Sequence, residues 1–493
     1  MSGGLLLGVD LGSSSSKGVL ARPDGTVVAV AERPHRMSMP RPGWFEHDAE
    51  ATWWADLSAI CAELTGGRDE RIAALCVSGI GPCLLAGDAD GNPLRPAILY
   101  GIDTRSEREI VELPERLGAD ETLARGGTAL TSQAVGPKLL WLRRNEPDVW
   151  ARTRRLLMPN SFAIGRLTGE YVLDHHTASQ CNPLYDLFRN RWNAEWAELV
   201  APGLPLPRLL WPGEAAGRVR ADGILPGVPA GTPVATGTID AWVEALSVGV
   251  RAPGDAMLMY GTTMVLVQVV ERLTPHAGLW GTTGVFPGTF TLGGGMATSG
   301  ALTGWLREIA GEPPFEQLVA EAAATPPGAD GLVTLPYFAG ERSPIADPRA
   351  RGLLVGLTLE HTRGHLYRAL LEGTAFAARH LVETMREAGA ATPRLVAVGG
   401  GTKGGLWPRV VSDVLGVRQE LPAQTLGACY GDALLAAMAA SLVDESTTWN
   451  TIESVVQPDP ANRDVYDRLY RVYRELYPAT REQMHALADV QLS

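Results

Sequence analysis

Leu5-Leu6-Leu7-Gly8-Val9-Asp10-Leu11-Gly12-Ser13-Ser14-Ser15-Ser16-Lys17 is the stretch on which the reading of this chain turns. The apolar run Leu5–Val9 reads as a buried strand, Gly12–Ser16 as a tight polar turn, and Gly18-Val19-Leu20-Ala21 as a strand returning beside the first. Pro23-Asp24-Gly25 turns the chain again into a third strand, Thr26–Val30. Further along come helical patterning around Trp53–Leu64, a buried strand at Ile72–Ser78, a short strand at Leu84–Ala86, a turn at Asp88–Gly91 and a strand at Pro96–Tyr100. Strands mixed with helices in this way specify an α/β domain.

The opening recurs halfway along. Ala256–Tyr260 ends in Gly261-Thr262-Thr263, and Met264–Val270 returns as a strand, with hairpin-like pieces expected at Gly284–Phe286 and Phe290–Leu292. Helices are expected near Gly300–Ile309, Gly364–Ala388, Leu406–Leu415 and Ala428–Ser441, and strands at Gly331–Pro336 and Leu395–Val398. In the tail, Val465, Leu469, Val472 and Leu476 have the spacing of a packing helix. Two related α/β domains are expected, spanning 1–248 and 249–493, with the break in Gly249–Gly254.

The composition of 493 residues agrees with more than one core. Hydrophobic residues at 45% and charged residues at 20% exclude a mainly disordered or collagen-like chain. A net charge of −12 argues against coating nucleic acid or an anionic membrane. It leaves room for a phosphorylated small ligand, because backbone amides hold phosphate without net positive charge. Five scattered cysteines without a C-x-x-C pair suggest neither a disulfide framework nor a zinc site. Met1-Ser2-Gly3-Gly4-Leu5 lacks the features of a signal peptide, and the most apolar run, Ala433–Val443, is too short to span a bilayer. A reduced, cytoplasmic protein is the expectation.

The 56 glycines point to tight turns and close ligand approach. Asp10 at a strand end, followed by Gly12, Ser13, Ser14 and Lys17, suits an acid beside Mg²⁺ with amides and hydroxyls facing phosphate, or a plain polar hairpin. Ser16 and Gly18 flank Lys17, which excludes a Walker A loop. Val398-Gly399-Gly400-Gly401-Thr402-Lys403-Gly404 follows a strand and precedes a helix, with Glu420 beyond. Alone it would support a dinucleotide fold and a nicotinamide-dependent oxidoreductase. That reading leaves the other glycine turns without a role, whereas a nucleotide bound between two domains uses all of them. Asp103 lies just past a strand. Asp240 ends Thr236-Gly237-Thr238-Ile239 and feeds a helix, where it fits either an N-cap or a base taking a hydroxyl proton. His175-His176 and Glu46-His47-Asp48 lack a completed ligand set and read as solvated loops.

Together these motifs resemble the FGGY carbohydrate kinases, from end to end and in family order. Gly352-Leu353-Leu354-Val355-Gly356-Leu357, then seven residues, then His365-Leu366-Tyr367-Arg368-Ala369-Leu370-Leu371-Glu372 looks like the family's second signature. Gly340-Glu341-Arg342-Ser343-Pro344 is another familiar element. Gly136-Pro137-Lys138-Leu139-Leu140-Trp141 is similar to the first signature, with Val135 where a small or hydroxyl residue is usual. Pro96–Tyr100 and Trp53-Trp54 look most like the xylulokinases.

The resemblance implies two actin-like (ribonuclease-H-like) α/β domains with an interdomain active-site cleft, and ATP-dependent phosphorylation of a sugar hydroxyl with Mg²⁺. It implies a first phosphate loop of Gly12, Ser13 and Ser14 with Lys17 beside it, and Asp10 near the metal. Gly261, Thr262 and Thr263 would form the second loop, with Gly300 bordering the phosphates. Gly400, Gly401 and Gly404 would lie along the adenosine, Gly404 standing where Asn or Ser is frequent. Asp240 matches the catalytic base, and Gly81, Pro82, Asp103 and Arg105 match the sugar site. Gly79–Cys83 replaces a Met-His pair, and Ala241 replaces the Asn after the base. A ketopentose such as xylulose is the implied substrate; another ketose, a polyol or gluconate are alternatives. A nucleotide-dependent sensor or scaffold on the actin-like fold is the rival of another class. A homodimer is the family's common assembly.

Overall fold

The computed structural model describes residues 4–391 and 393–492, so Met1-Ser2-Gly3 of the N-terminal reading lies outside the described residues. The opening stretch folds as read: β1 (Leu5–Leu11) pairs antiparallel with β2 (Ser15–Ala21), which pairs with β3 (Val27–Pro34). The turn is tighter than expected. Ser15 and Ser16 already belong to β2, and the Gly12 amide donates to the Ser15 carbonyl at 3.1 Å.

On its other side β1 runs parallel to β4 (Ile72–Gly79), and β5 (Ala215–Arg218) and β6 (Pro233–Ala235) complete a six-stranded sheet of order β5-β6-β4-β1-β2-β3. Alternation along β1 sets its two faces. Leu5, Leu7, Val9 and Leu11 pack with Trp53, Leu57 and Ile60, the last two from the helix Ala55–Thr65. Leu6 packs on the opposite face with Val243, Cys429 and Ala433. A strand covered on both faces is a near-continuous apolar run, as Leu5–Val9 is.

The second sheet repeats the plan. β7 (Asp255–Tyr260) pairs antiparallel with β8 (Met264–Val270) and parallel with β11 (Arg394–Val398). With β9 (Trp280–Thr283), β10 (Phe290–Met296), β12 (Gln419–Pro422) and β13 (Ile452–Val456) the order is β9-β10-β8-β7-β11-β12-β13. The piece expected at Gly284–Phe286 is a turn, closed by the Gly284 amide on the Thr289 carbonyl.

The chain forms two compact units, divided otherwise than at 248/249. The first unit runs to Arg251 and also takes Gly281–Phe290 and Leu426–Asn450; the second holds Ala252–Trp280, Thr291–Thr425 and the chain from Thr451 on. The cause is the helix Ala428–Ala439, whose Ala428, Cys429, Ala433 and Leu434 share the core of Leu6 and Val19. The tail is a helix, Arg463–Leu492, but its buried face is offset from the expected one. Tyr466, Tyr470 and Tyr473 are buried, while Val472 is 39% exposed. Tyr hydroxyls explain this: Tyr466 meets Arg368 and Glu372, and Tyr473 meets Tyr337. Among the described residues no helix is long and apolar enough to cross a membrane.

Candidate active site

In the first unit the carboxyl ends of parallel strands gather acids. Asp10, near the end of β1, stands opposite Ser78 of β4 in the parallel register, and Gly79 bridges to Ile239, one residue before Asp240. Asp10, Asp240 and Glu244 are half-buried, and Asp432 is fully buried. Burial pushes the Asp10 carboxyl well up from its usual range, and the charges of Asp240, Asp432 and Glu244 push it further; Lys17 opposes them. Burial likewise raises Asp240 to about 6, against the Ala241 amide that lowers it. Glu244, raised to about 7 by burial and then by Asp240, shares a helix face with it at i+4. One Asp10 oxygen, Oδ1, is buried without a hydrogen-bond partner. A buried orphan oxygen among mutually repelling carboxylates fits a hard divalent cation, which asks for only one or two protein carboxylates.

Asp240 is not an N-cap. The cap of the helix Asp240–Ser247 is Ile239, and the Asp240 Oδ1 accepts only from the next amide, Ala241, at 2.7 Å. Oδ2 has no hydrogen-bond partner among the described residues. The preceding Thr236–Ile239 is no ladder strand, as β6 ends at Ala235. Side chains hold it instead: Thr238 donates to Asp174 at 2.6 Å, and Asn160 bridges Asp174 and the Thr236 carbonyl. Gly237 has φ +63°, and a Cβ there would lie 2.4 Å from the Val77 carbonyl oxygen, so no other residue fits. The segment that carries Asp240 is thus pinned by side chains.

The remaining first-unit candidates separate. Ser13 meets the Tyr100 hydroxyl at 3.1 Å, Ser14 is exposed, and Lys17 lies 3.9 Å from Glu32. Gly81 and Pro82 are buried, Gly81 so close to Ile239 that a Cβ would meet it at 2.8 Å. That loop therefore lies beside the residue preceding Asp240. Asp103 and Arg105 form a closed pair: Arg105 donates to Asp103 at 2.8 Å and to Glu46 at 2.8 Å, and Asp103 also accepts from the Phe45 amide.

Neither histidine motif is a solvated loop. His47 is buried in a short strand, Glu46–His47, and accepts from the Trp53 indole at 3.1 Å. His176 is buried in the helix His175–Ser179, which Asp174 caps, and its Nδ1 meets the Thr283 carbonyl at 2.7 Å. Burial lowers both rings to about 4, so they stay neutral. Core aromatics around them, Trp53 and Trp242, override their polarity.

The second unit holds a cavity of about 880 Å³. Gly261, Thr262 and Gly300 line one part and Gly400, Gly401 and Gly404 another, with Phe315, Val319 and Leu371 as apolar wall. The Gly261 amide donates to the Thr263 carbonyl at 3.1 Å, closing a turn one residue shorter than the Gly12–Ser15 closure. The Gly300 amide donates to the Gly261 carbonyl at 2.9 Å and opens the helix Gly300–Ile309. Glycine edges, a helix start and an apolar wall are the chemistry of a phosphate chain joined to a flat base. Glu420, which a dinucleotide fold would turn to a ribose, is instead ion-paired to Arg394 and Arg418 at 2.8 Å.

Sequence reasoning missed two of the acids. Glu244 was accessible through its i+4 spacing from Asp240. Asp432 had no local signal; the Ala428–Ala439 helix delivers it to Ser78, which donates to it at 2.6 Å.

Comparison with known proteins agrees with this arrangement. The N-terminal domain model of the FGGY family of carbohydrate kinases matches residues 5–247, and the C-terminal domain model matches 256–440. The solved xylulose kinase of Rhodospirillum rubrum is 35% identical, with a TM-score of 0.91 over 98% of this chain and 100% of that one. The xylulose kinase of Escherichia coli (strain K12) is 29% identical over 96% of this chain and 98% of its own length. The glycerol kinase of Nocardia farcinica is 30% identical over 92% and 95%.

Proposed function

The chain belongs to the FGGY family of carbohydrate kinases, and from that premise we propose that it transfers the γ-phosphoryl group of ATP to a hydroxyl of a ketopentose, xylulose in the first place. The observation that carries the mechanism is the open Oδ2 of Asp240 on a carboxyl raised to about 6. A base with that pKa is ionised at neutral pH and still basic enough to take a hydroxyl proton as the oxygen attacks. The first unit carries the proposed base, the Gly81-Pro82 loop and the Gly12–Ser14 turn. The second unit carries the Gly261–Thr263 turn, Gly300 and the Gly400–Gly404 edge of its own cavity.

Asp10, through its unpartnered Oδ1, would hold Mg²⁺, which when bound neutralises charge on the phosphates. The chain's own contribution to the transfer is positional. The glycine turns let the phosphate chain approach the backbone closely, and a pinned Asp240 segment presents one oxygen to the sugar. Xylulose is favoured by the relatives named above. The glycerol kinase relative and the loss of polar side chains in the Gly79–Cys83 loop and at Ala241 support a polyol as second reading, since unmatched hydroxyls discriminate strongly. ATP consumption measured across ketopentoses, polyols and gluconate decides between them; no stimulation by any sugar would refute both.

The raised Asp240 carboxyl fixes the direction of the pH profile. The ionised base is present above about 6 and is lost as pH falls through it. kcat/KM is expected to drop roughly tenfold between pH 7 and pH 5, and a flat acid limb in initial-rate measurements would count against Asp240. Gly300→Ala probes the nucleotide cavity. Its Cβ would lie 2.6 Å from the Gly261 carbonyl oxygen, so the helix start and the turn must part. Nucleotide affinity should fall about tenfold or more by titration calorimetry with sugar affinity unchanged, because the Gly261 turn that lines the cavity is displaced.

A further inference from the structure

A second concave site lies in the first unit, apart from the acids. It measures about 520 Å³ and takes one face of the helix Pro159–Thr168, where Ser161, Phe162, Gly165 and Arg166 recur at helical spacing. Across it stand Arg155 from the short strand Arg155–Leu157 and Arg220 just beyond β5. Three guanidiniums therefore border one hollow.

Their partners are unequal. Arg166 is fixed: Glu50 pairs with it, and it lies 4.8 Å over the Phe162 ring and 5.2 Å over Trp54. Arg155 lies 5.3 Å over the Tyr171 ring, and a Cβ at Gly91 would come 3.3 Å from its Nη1, so the turn and the ring confine it. Among the described residues Arg155 and Arg220 form no ion pair, and Asp90, the one carboxylate lining the hollow, pairs with neither. Arg95, by contrast, is paired with Glu46 and Glu146, and Arg144 with Glu109 and Glu112. Two guanidiniums without a carboxylate partner lining one cavity offer a site that an anion would fill.

We propose that this hollow binds a small organic phosphate, with Arg155 and Arg220 on its phosphate oxygens and its remaining body on the Trp54 and Phe162 side. Planar, permanently charged guanidiniums fit phosphate oxygens in pairs. The volume suits a phosphorylated sugar rather than a polymer.

Inorganic phosphate and ribose 5-phosphate, titrated by calorimetry into protein saturated with ADP, test this. A binding event that persists under ADP, weakens with salt and falls at least about tenfold in Arg155→Gln/Arg220→Gln is the expected result. Arg220 is exposed, so Arg220→Gln alone keeps the test valid should the double variant unfold. The sugar phosphate made by the enzyme's own turnover forms a further arm: tighter binding than ribose 5-phosphate marks the product as the ligand, equal binding a general phosphate site. Loss of all binding under ADP, or unchanged binding in the variants, overturns the proposal. Neither outcome touches the kinase reading, which is measured by turnover.

Discussion

Asp240→Asn is expected to lower kcat by roughly 10²–10⁴-fold, about 3–5 kcal/mol of barrier, while nucleotide affinity stays that of the wild type. Asn keeps the size of Asp, and its oxygen can still accept from the Ala241 amide that Asp240 Oδ1 holds at 2.7 Å. What it loses is the ability to take a proton at the open Oδ2. The same variant should gain thermal stability. Asp10 is pushed up by burial and then by the Asp240 charge, and Glu244 by burial and then by Asp240, so a neutral residue relieves both. Carboxyls held above their unfolded values cost stability as pH rises, so the gain in Tm should be larger at pH 8 than at pH 5. Lost turnover with raised Tm is a signature that damage to the fold cannot produce. Near-normal turnover would remove Asp240 from the role of base.

Much of the frame was legible because it is local. The Leu5–Lys17 hairpin, its repetition at Asp255–Val270 and the helix Gly300–Ile309 are written in runs, turns and spacing over fewer than twenty residues. The chain between Glu107 and Val200 was not legible, because its helices are short and Leu113, Val135 and Leu139 are buried without a clean period. The tail misled for a different reason. Tyrosines that bury a ring and tie down a hydroxyl outcompete aliphatic residues for the inner face, and hydropathy alone ranks them the other way.

The site divides along the same line. Glycine turns and Asp240 stand out as candidates because each motif is contiguous. The pinning of Asp240 by Asp174, Asn160 and Thr238, and the arrival of Asp432 beside Ser78, depend on pairings distant in sequence. His47 and His176 were misjudged because adjacent polar residues suggest water, whereas their burial follows from Trp53 and Trp242 across the fold.

Arg105→Leu is expected to cost the first unit about 3–5 kcal/mol, the usual penalty for removing one partner of a buried ion pair. The Arg105 and Asp103 side chains are both 0% exposed, and the Asp103 carboxylate already accepts from the Phe45 amide and from Arg105. Without the guanidinium, Asp103 keeps its burial and loses its countercharge. Glu46 is spared part of the loss by Arg95, and the packing of Arg105 over Trp44 at 4.2 Å is lost as well. Against a total stability of about 5–15 kcal/mol, such a loss should appear as a large fall in Tm. Adding Asp103→Asn should recover part of it, because the unpaired group is then neutral. A residue whose main business is the sugar would behave differently, raising KM at unchanged Tm with no rescue by Asp103→Asn. The geometry favours the first pattern: a pair this closed holds the Phe45–Glu46 segment in place.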